Sequence, residues 1–144
     1  MTNPIRSSPT GPENDGPRTT GSADTSLPEY SIRIRVGDQT FSGALLTTTA
    51  AAAFYARLPM TLTLNERNGN EKYGQLSAGL PVSAHTPGTI QAGDLMLYGA
   101  TTLVLFYKTF PTTYSYTILG RIAKSTALAA ALGRGSVTVT FEPD

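Results

Sequence analysis

The chain has 144 residues, with eleven lysines and arginines, ten acidic residues and no cysteine. This length suits one domain, and the near-neutral charge, with no basic stripe among the aromatic residues, argues against a nucleic-acid partner. The missing cysteines exclude disulfides, thiolate nucleophiles and metal sites built on cysteine.

The composition changes sharply near residue 30. Residues 1–29 are dense in Pro, Gly, Ser, Thr, Asn and Asp and hold almost no large apolar side chain, so this N-terminal leader is predicted to be disordered. It lacks the run of ~7–15 apolar residues of a secretory signal, and no window approaches the ~18 apolar residues of a membrane span. We therefore expect a cytoplasmic protein without membrane contact, folded over residues 30–144.

Alternation of apolar and polar residues predicts the strands. In SIRIRV, Ile32, Ile34 and Val36 share one face and the two arginines the other, which is typical of a strand with one face in the core. Turns such as Asn68-Gly69 separate successive strands. Strands are predicted over residues 31–36, 39–45, 60–64, 71–76, 94–98, 102–107, 116–123 and 136–141.

Two alanine-rich runs predict short helices. Thr47–Thr49 offer hydroxyl caps for AAAAFYARL, which should end at or before Leu58 because Pro59 follows. Ser125 or Thr126 is predicted to cap TALAAAL, with Gly133 after its last turn. Residues 77–88 have no periodicity and predict a long surface loop. The unbroken run LVLFY at 103–107 predicts burial on both faces, with a helix as the expected cover.

Eight strands joined mostly by short connections, without a βαβ rhythm, indicate an all-β fold. Eight strands suffice to close a barrel whose interior is filled by side chains, with the two helices covering its ends. A closed barrel leaves no edge that demands a partner, so a monomer is expected.

Four strings carry a resemblance to a known family: LPMTLTLNERNGNEKYGQL at 58–76, PGTIQAGDLMLYG at 87–99, LVLFYKTFPTTYSYTILGRI at 103–122 and ALGRGSVTVTFE at 131–142. They resemble the cyclophilin-like family of small bacterial and archaeal proteins. The resemblance implies a closed eight-stranded barrel with two helices. It implies no catalytic residue, because nothing here matches the FHRVIPGFMxQGGD-like motif of the true prolyl isomerases.

Four of the five candidate ligand-binding residues are aromatic, and they lie around the loop that leaves the central hairpin. Aromatic rings with hydroxyl groups at the mouth of a filled barrel could line a shallow groove for a peptide or small ligand. The alternative is that they only cover the barrel end. Arg121 and Lys108 are the nearest cations in sequence. The candidate ligand-binding residues are Tyr98, Phe110, Tyr114, Tyr116 and Arg121.

Other residues give weaker indications. His85 is the single histidine and lies in the 77–88 loop near Ser83; without a Gly-x-Ser-x-Gly elbow, a solvated side chain is the simpler interpretation. No ligand spacing predicts a metal or another cofactor. Asp94 is expected to anchor its turn through the carboxylate.

Two hypotheses about function remain open. The first is a non-catalytic module that binds a peptide or a small ligand through the aromatic residues. The second is a weak peptidyl-prolyl isomerase that uses Arg121 or Arg67 as the cation beside the prolyl nitrogen; it rests on fold analogy.

Overall fold

The computed structural model describes residues 29–144, and their main feature is a closed barrel of eight strands. The order around the barrel is β1-β10-β3-β4-β7-β6-β9-β2, and all neighbours are antiparallel. The strands are β1 (Glu29–Val36), β2 (Gln39–Leu46), β3 (Met60–Arg67), β4 (Glu71–Gln75), β5 (Thr89–Ile90), β6 (Asp94–Tyr98), β7 (Thr102–Phe106), β8 (Phe110–Pro111), β9 (Thr117–Ile122) and β10 (Val137–Pro143). The prediction of an all-β closed barrel with two helices is confirmed.

The short strands β5 and β8 pair with each other outside the barrel. Two residues are too few to give a periodic signal, so neither strand was predicted. The predicted disordered leader lies outside the described residues, except for Glu29, at which β1 begins.

The barrel interior holds the main hydrophobic core. Ile32, Ile34 and Val36 of β1 lie in it, as their alternation predicts, and Phe54 packs edge-on against Phe141 with ring centroids 5.7 Å apart. Side chains from both helices join the same core. A single packed core therefore unites the barrel and the helices.

Helix α1 (Thr49–Tyr55) begins as predicted, because the Thr48 hydroxyl accepts a hydrogen bond from the Ala51 N–H (3.2 Å). Helix α2 (Ser125–Leu132) begins differently. Its N-cap is Lys124, in a left-handed conformation (φ 58°) and without a side-chain cap, so the predicted capping by Ser125 or Thr126 is wrong. No helix in the part of the chain that the structure describes is long and apolar enough to cross a membrane.

The outer face of β6 and β7 carries a second hydrophobic cluster. Leu103 and Leu105 point into the barrel core, whereas Val104 and Phe106 point outward and are also buried. The predicted burial on both faces is confirmed, but the cover is not a helix. Ile90 of β5 and Phe110 of β8 pack on this face, so the β5–β8 pair covers it.

A fully buried lysine ties the end of α2 to the barrel. Lys72 on β4 donates from Nζ to the carbonyl oxygens of Gly133 (2.9 Å) and Gly135 (2.6 Å). The same Nζ lies 2.9 Å from Oε1 of Glu66 on β3. Burial of this charge is thus matched by three acceptors.

Candidate functional site

An aromatic groove runs along the outer face of the barrel beside the second hydrophobic cluster. The Tyr98 ring lies 6.3 Å from that of Tyr114 and 5.7 Å from that of Tyr116, centroid to centroid. Phe106 links the set, with centroids 5.5 Å from Tyr116 and 5.7 Å from Phe110. The aromatic groove is defined by Arg67, Asn68, Asn70, Glu71, Tyr98, Phe110, Thr112, Tyr114 and Tyr116.

The groove has two parts that share Asn68, Glu71, Tyr114 and Tyr116. The larger part, of about 410 Å³, extends along the β8 segment past Phe110. The smaller part, of about 170 Å³, extends toward Arg67 and Tyr98. The shared residues make the two parts one continuous surface depression, which is large enough for a small ligand or for one side chain of a peptide.

Local chain geometry explains why these side chains meet. The Asn68-Gly69 turn has positive φ at both residues (56° and 66°), as the tight hairpin between β3 and β4 requires. This hairpin places Arg67 and Glu71 at the ends of two adjacent strands, as directly opposed residues. On the other side of Glu71, β4 pairs with β7, and Glu71 lies opposite Phe106 of the second cluster.

Several hydrogen bonds hold the 112–116 segment in place. Thr112 Oγ1 accepts from the Tyr114 N–H (3.1 Å), and Thr86 Oγ1 lies 3.0 Å from Ser115 Oγ. His85 and Tyr116 exchange backbone hydrogen bonds of 2.9 and 2.8 Å. The loop that carries the tyrosines is therefore anchored at several points, which favours a preformed site.

The aromatic groove contains one buried acid. Glu71 is only 8% exposed, yet none of the residues 29–144 donates a hydrogen bond to its carboxylate or forms an ion pair with it. Burial raises the pKa of Glu71, and the nearby charge of Arg67 opposes only part of that rise. Burial likewise raises the pKa of the Tyr116 phenol, and the negative charge of Glu71 raises it further.

Arg67 is the cation of the aromatic groove. Its guanidinium carbon lies 4.2 Å from the centre of the Tyr73 ring, within the range of a cation–π contact. Arg67 lines the smaller part of the groove together with Tyr98 and Tyr114. The Arg67 guanidinium therefore stacks on an aromatic face and acts on the neighbouring Glu71 through its charge alone.

The structure brings together four of the five predicted ligand-binding residues: Tyr98, Phe110, Tyr114 and Tyr116. Arg121 is not among them. Its side chain is 62% exposed, its Nε lies 3.2 Å from Oδ1 of Asp94, and it lines a different cavity together with Ser42 and Lys124. Arg121 therefore lies outside the aromatic groove. Asp94 also accepts from the Gln91 N–H (2.8 Å), which confirms that its carboxylate anchors the turn.

Besides Arg67, four polar residues of the aromatic groove were not predicted as part of it: Asn68, Asn70, Glu71 and Thr112. The string NGNE signals the turn between β3 and β4, but only the pairing of β4 with β7 brings it beside Phe106 and the tyrosines. From the sequence, Arg67 was predicted only as a possible cation of an isomerase and not as a ligand-binding residue.

The backbone of His85 pairs with that of Tyr116, but His85 lines a cavity other than the aromatic groove, together with Val82 and Ser83. It is exposed, and its Nε2 lies 3.5 Å from Ser83 Oγ. Among residues 29–144 no carboxylate bonds to His85, and no three His, Asp or Glu side chains are grouped closely enough to hold a metal. The described chain thus assembles no serine–histidine–acid triad.

The sequence pattern of the cyclophilin-like family matches residues 34–142, from the middle of β1 to the last residues of β10. The chain belongs to the cyclophilin-like family. The predicted resemblance is confirmed, and with it the fold that the resemblance implied.

A solved structure has the same architecture. The chain is similar to the hypothetical protein AF2241 from Archaeoglobus fulgidus, whose solution structure superposes with a TM-score of 0.59 at 19% sequence identity. The match covers 81% of this chain and 95% of the archaeal one. At this identity the likeness concerns the fold alone. No curated protein matches the chain.

Proposed function

We propose that this cyclophilin-like protein is a non-catalytic binding module whose aromatic groove takes a peptide or a small ligand with an apolar group. The observation that carries the proposal is the exposure of two tyrosines at one groove: Tyr98 is 49% and Tyr114 is 63% exposed. The Tyr98 ring contacts both the Tyr114 ring and the buried ring of Tyr116. Tyrosines suit this role because they offer a large, rigid surface and a polar hydroxyl at little cost in conformational entropy.

The proposal can be tested by calorimetric titration with an Ala-Pro-Phe peptide. The Tyr114→Ala variant should bind at least about tenfold more weakly, which is the loss typical of a central aromatic contact. Tyr114 is exposed, so its removal should leave the fold intact. Val82→Ala is the matched control, because Val82 is also an exposed apolar residue but lines another cavity.

Equal weakening by Tyr114→Ala and Val82→Ala would contradict the proposal, since the effect would then not be specific to the aromatic groove. Absence of binding to the wild-type protein would count against a prolyl peptide as the ligand.

A second candidate function, weak peptidyl-prolyl isomerase activity, is favoured by the position of Arg67. A guanidinium that lines an aromatic groove could donate to a prolyl nitrogen and weaken amide resonance. The uncatalysed barrier is about 20 kcal/mol, so a modest electrostatic gain would give a measurable rate.

Exchange between the cis and trans forms of an Ala-Pro-Phe peptide, measured by NMR, tests this activity. If the activity exists, Arg67→Ala should abolish the acceleration and Arg121→Ala should leave it unchanged, because Arg121 lines a separate cavity. No acceleration by the wild-type protein would rule this second function out.

We further propose that the protein acts as a monomer in the cytoplasm. All eight barrel strands are paired on both sides, so none of them offers a free edge to a second copy. The cysteine-free sequence is compatible with a reducing compartment. Light scattering of the full chain should give the mass of one copy, 15.2 kDa.

A further inference from the structure

We infer that the aromatic groove selects ligands with a cationic hydrogen-bond donor, an amine, amidinium or guanidinium, which Glu71 binds next to the tyrosine rings. The inference rests on the proposed function, since it assigns a ligand class to the same groove. It specifies the charged group of the ligand, which the aromatic residues alone do not determine.

The first observation is the state of Glu71. This side chain is more than nine-tenths buried and lines both parts of the aromatic groove. A carboxylate removed from water normally has a charged or hydrogen-bonding partner, because burial without one is costly. Arg67 acts on Glu71 only through its nearby charge, and within residues 29–144 no group donates a hydrogen bond to the carboxylate, so its oxygens are left to water or to a ligand in the groove.

The second observation is a neighbouring acceptor. Asn70 lines the larger part of the aromatic groove, and its buried Oδ1 has no hydrogen-bond partner among the described residues. The Asn70 backbone is held by hydrogen bonds to Arg67 (3.2 Å) and from Tyr107 (3.0 Å), so the residue is fixed in place. Two acceptors adjacent in sequence therefore line one recess, and they match a ligand group that carries several N–H donors and no acceptor.

The third observation is the distribution of charge. The larger part of the groove is lined by one acid, Glu71, and by no basic side chain. Arg67 lines only the smaller part, where it stacks over Tyr73 and does not form an ion pair with Glu71. We therefore place the ligand cation in the larger part, between Glu71 and the ring of Tyr114, whose face adds a cation–π contribution.

A matched pair of probes tests the inference: benzamidine and benzamide have the same ring and nearly the same shape, but only benzamidine is a cation. Charge-assisted hydrogen bonds are about twice as strong as neutral ones. We expect benzamidine to bind about tenfold more tightly than benzamide, with NMR shift changes in the larger part of the aromatic groove.

Variants of the protein locate the effect. Glu71→Gln keeps the shape of the side chain and should remove the preference for benzamidine. Asp38→Asn is the control, because it also removes one negative charge but lies in the exposed turn between β1 and β2. Unchanged thermal unfolding of Glu71→Gln would show that the loss is not one of folding.

The source of the cation is distinguished by an Ala-Arg-Pro-Phe peptide and its citrulline counterpart. A tenfold preference for the arginine peptide assigns the ligand to a protein chain. Equal binding of the two peptides, with benzamidine still preferred, assigns it to a small amine or guanidine.

Equal affinities for benzamidine and benzamide would overturn the inference, as would a preference that survives Glu71→Gln. If the Ala-Pro-Phe peptide still binds at Tyr114 in that case, the proposed function stands without the cation. If no probe binds, both fall.

Discussion

Replacement of Lys72 by methionine should destabilise the barrel, and the contacts of Lys72 set limits on the loss in free energy of unfolding. Methionine keeps most of the volume of the side chain but loses the ammonium group. The change removes two hydrogen bonds, to Gly133 and Gly135, and the ion pair with Glu66. The two hydrogen bonds hold the segment after α2 against β4, and the ion pair joins β4 to β3.

Removal of one partner from a fully buried ion pair costs about 3–5 kcal/mol. The cost here should be smaller, because the Glu66 side chain is 26% exposed and keeps hydrogen bonds from Tyr107 and the Gly69 N–H. Gly133 and Gly135 are exposed, so their carbonyls can regain water. We therefore expect a loss of about 2 kcal/mol, which lowers the melting temperature by roughly 6–10 °C in a domain of this size.

Urea and thermal unfolding followed by circular dichroism measure this loss. Lys108→Met is the control, since Lys108 is exposed, and its effect should stay within about 0.5 kcal/mol. If Lys72→Met also stays within about 0.5 kcal/mol of the wild type, the three contacts do not stabilise the fold and this reasoning is refuted.

The remaining predictions concern pH, close backbone approach and the outer cluster. Burial, together with the hydrogen bond to the Glu66 carboxylate, raises the pKa of Tyr107 to about 12. The stability that this hydroxyl contributes is therefore complete below pH 10 and is lost as pH rises toward 12. In urea unfolding across this range, the free energy of unfolding should decline less for Tyr107→Phe than for the wild type. Gly120→Ala should prevent folding, as measured by circular dichroism, because the new Cβ would overlap the Ala44 carbonyl oxygen. Gly135→Ala is the control and should fold normally, because its new Cβ has no atom within 4 Å. Ile90→Ala should cost about 2–5 kcal/mol in urea unfolding, since Ile90 is fully buried in the second cluster; a cost below 1 kcal/mol would mean that β5 is not an essential cover.

The barrel could be predicted because local signals and long-range packing agree there. The alternation in β1 places Ile32, Ile34 and Val36 in the core, and the Asn68-Gly69 dipeptide fixes the hairpin between β3 and β4. The start of α2 could not, because the chain leaves β9 through Lys124 in a left-handed conformation, and this makes Ser125 the first helical residue.

The direction of Arg121 shows why strict alternation fails in part of β9. Leu95 of β6 pairs with Gly120 but Met96 pairs with Ile118, so Leu119 is an extra residue at a β-bulge. The bulge changes the phase of the alternation: Leu119 and Ile122 both lie in the barrel core. Arg121 accordingly points to solvent and to Asp94, away from the tyrosines.

The aromatic half of the candidate site could be predicted because the residues are concentrated in one loop and one turn. The polar half could not. Glu71 and Asn70 look like ordinary turn residues in the sequence, and they reach the tyrosines only through the pairing of β4 with β7. Strand order in a barrel is a long-range property that local patterns do not encode.

Ligand binding by the aromatic groove can be tested by mapping amide shifts of the ¹⁵N-labelled protein during titration with an Ala-Pro-Phe peptide. We expect the largest shifts at Tyr98, Phe110, Tyr114 and Tyr116, with little change near Arg121. Largest shifts around Arg121, or elsewhere outside the aromatic groove, would contradict this expectation.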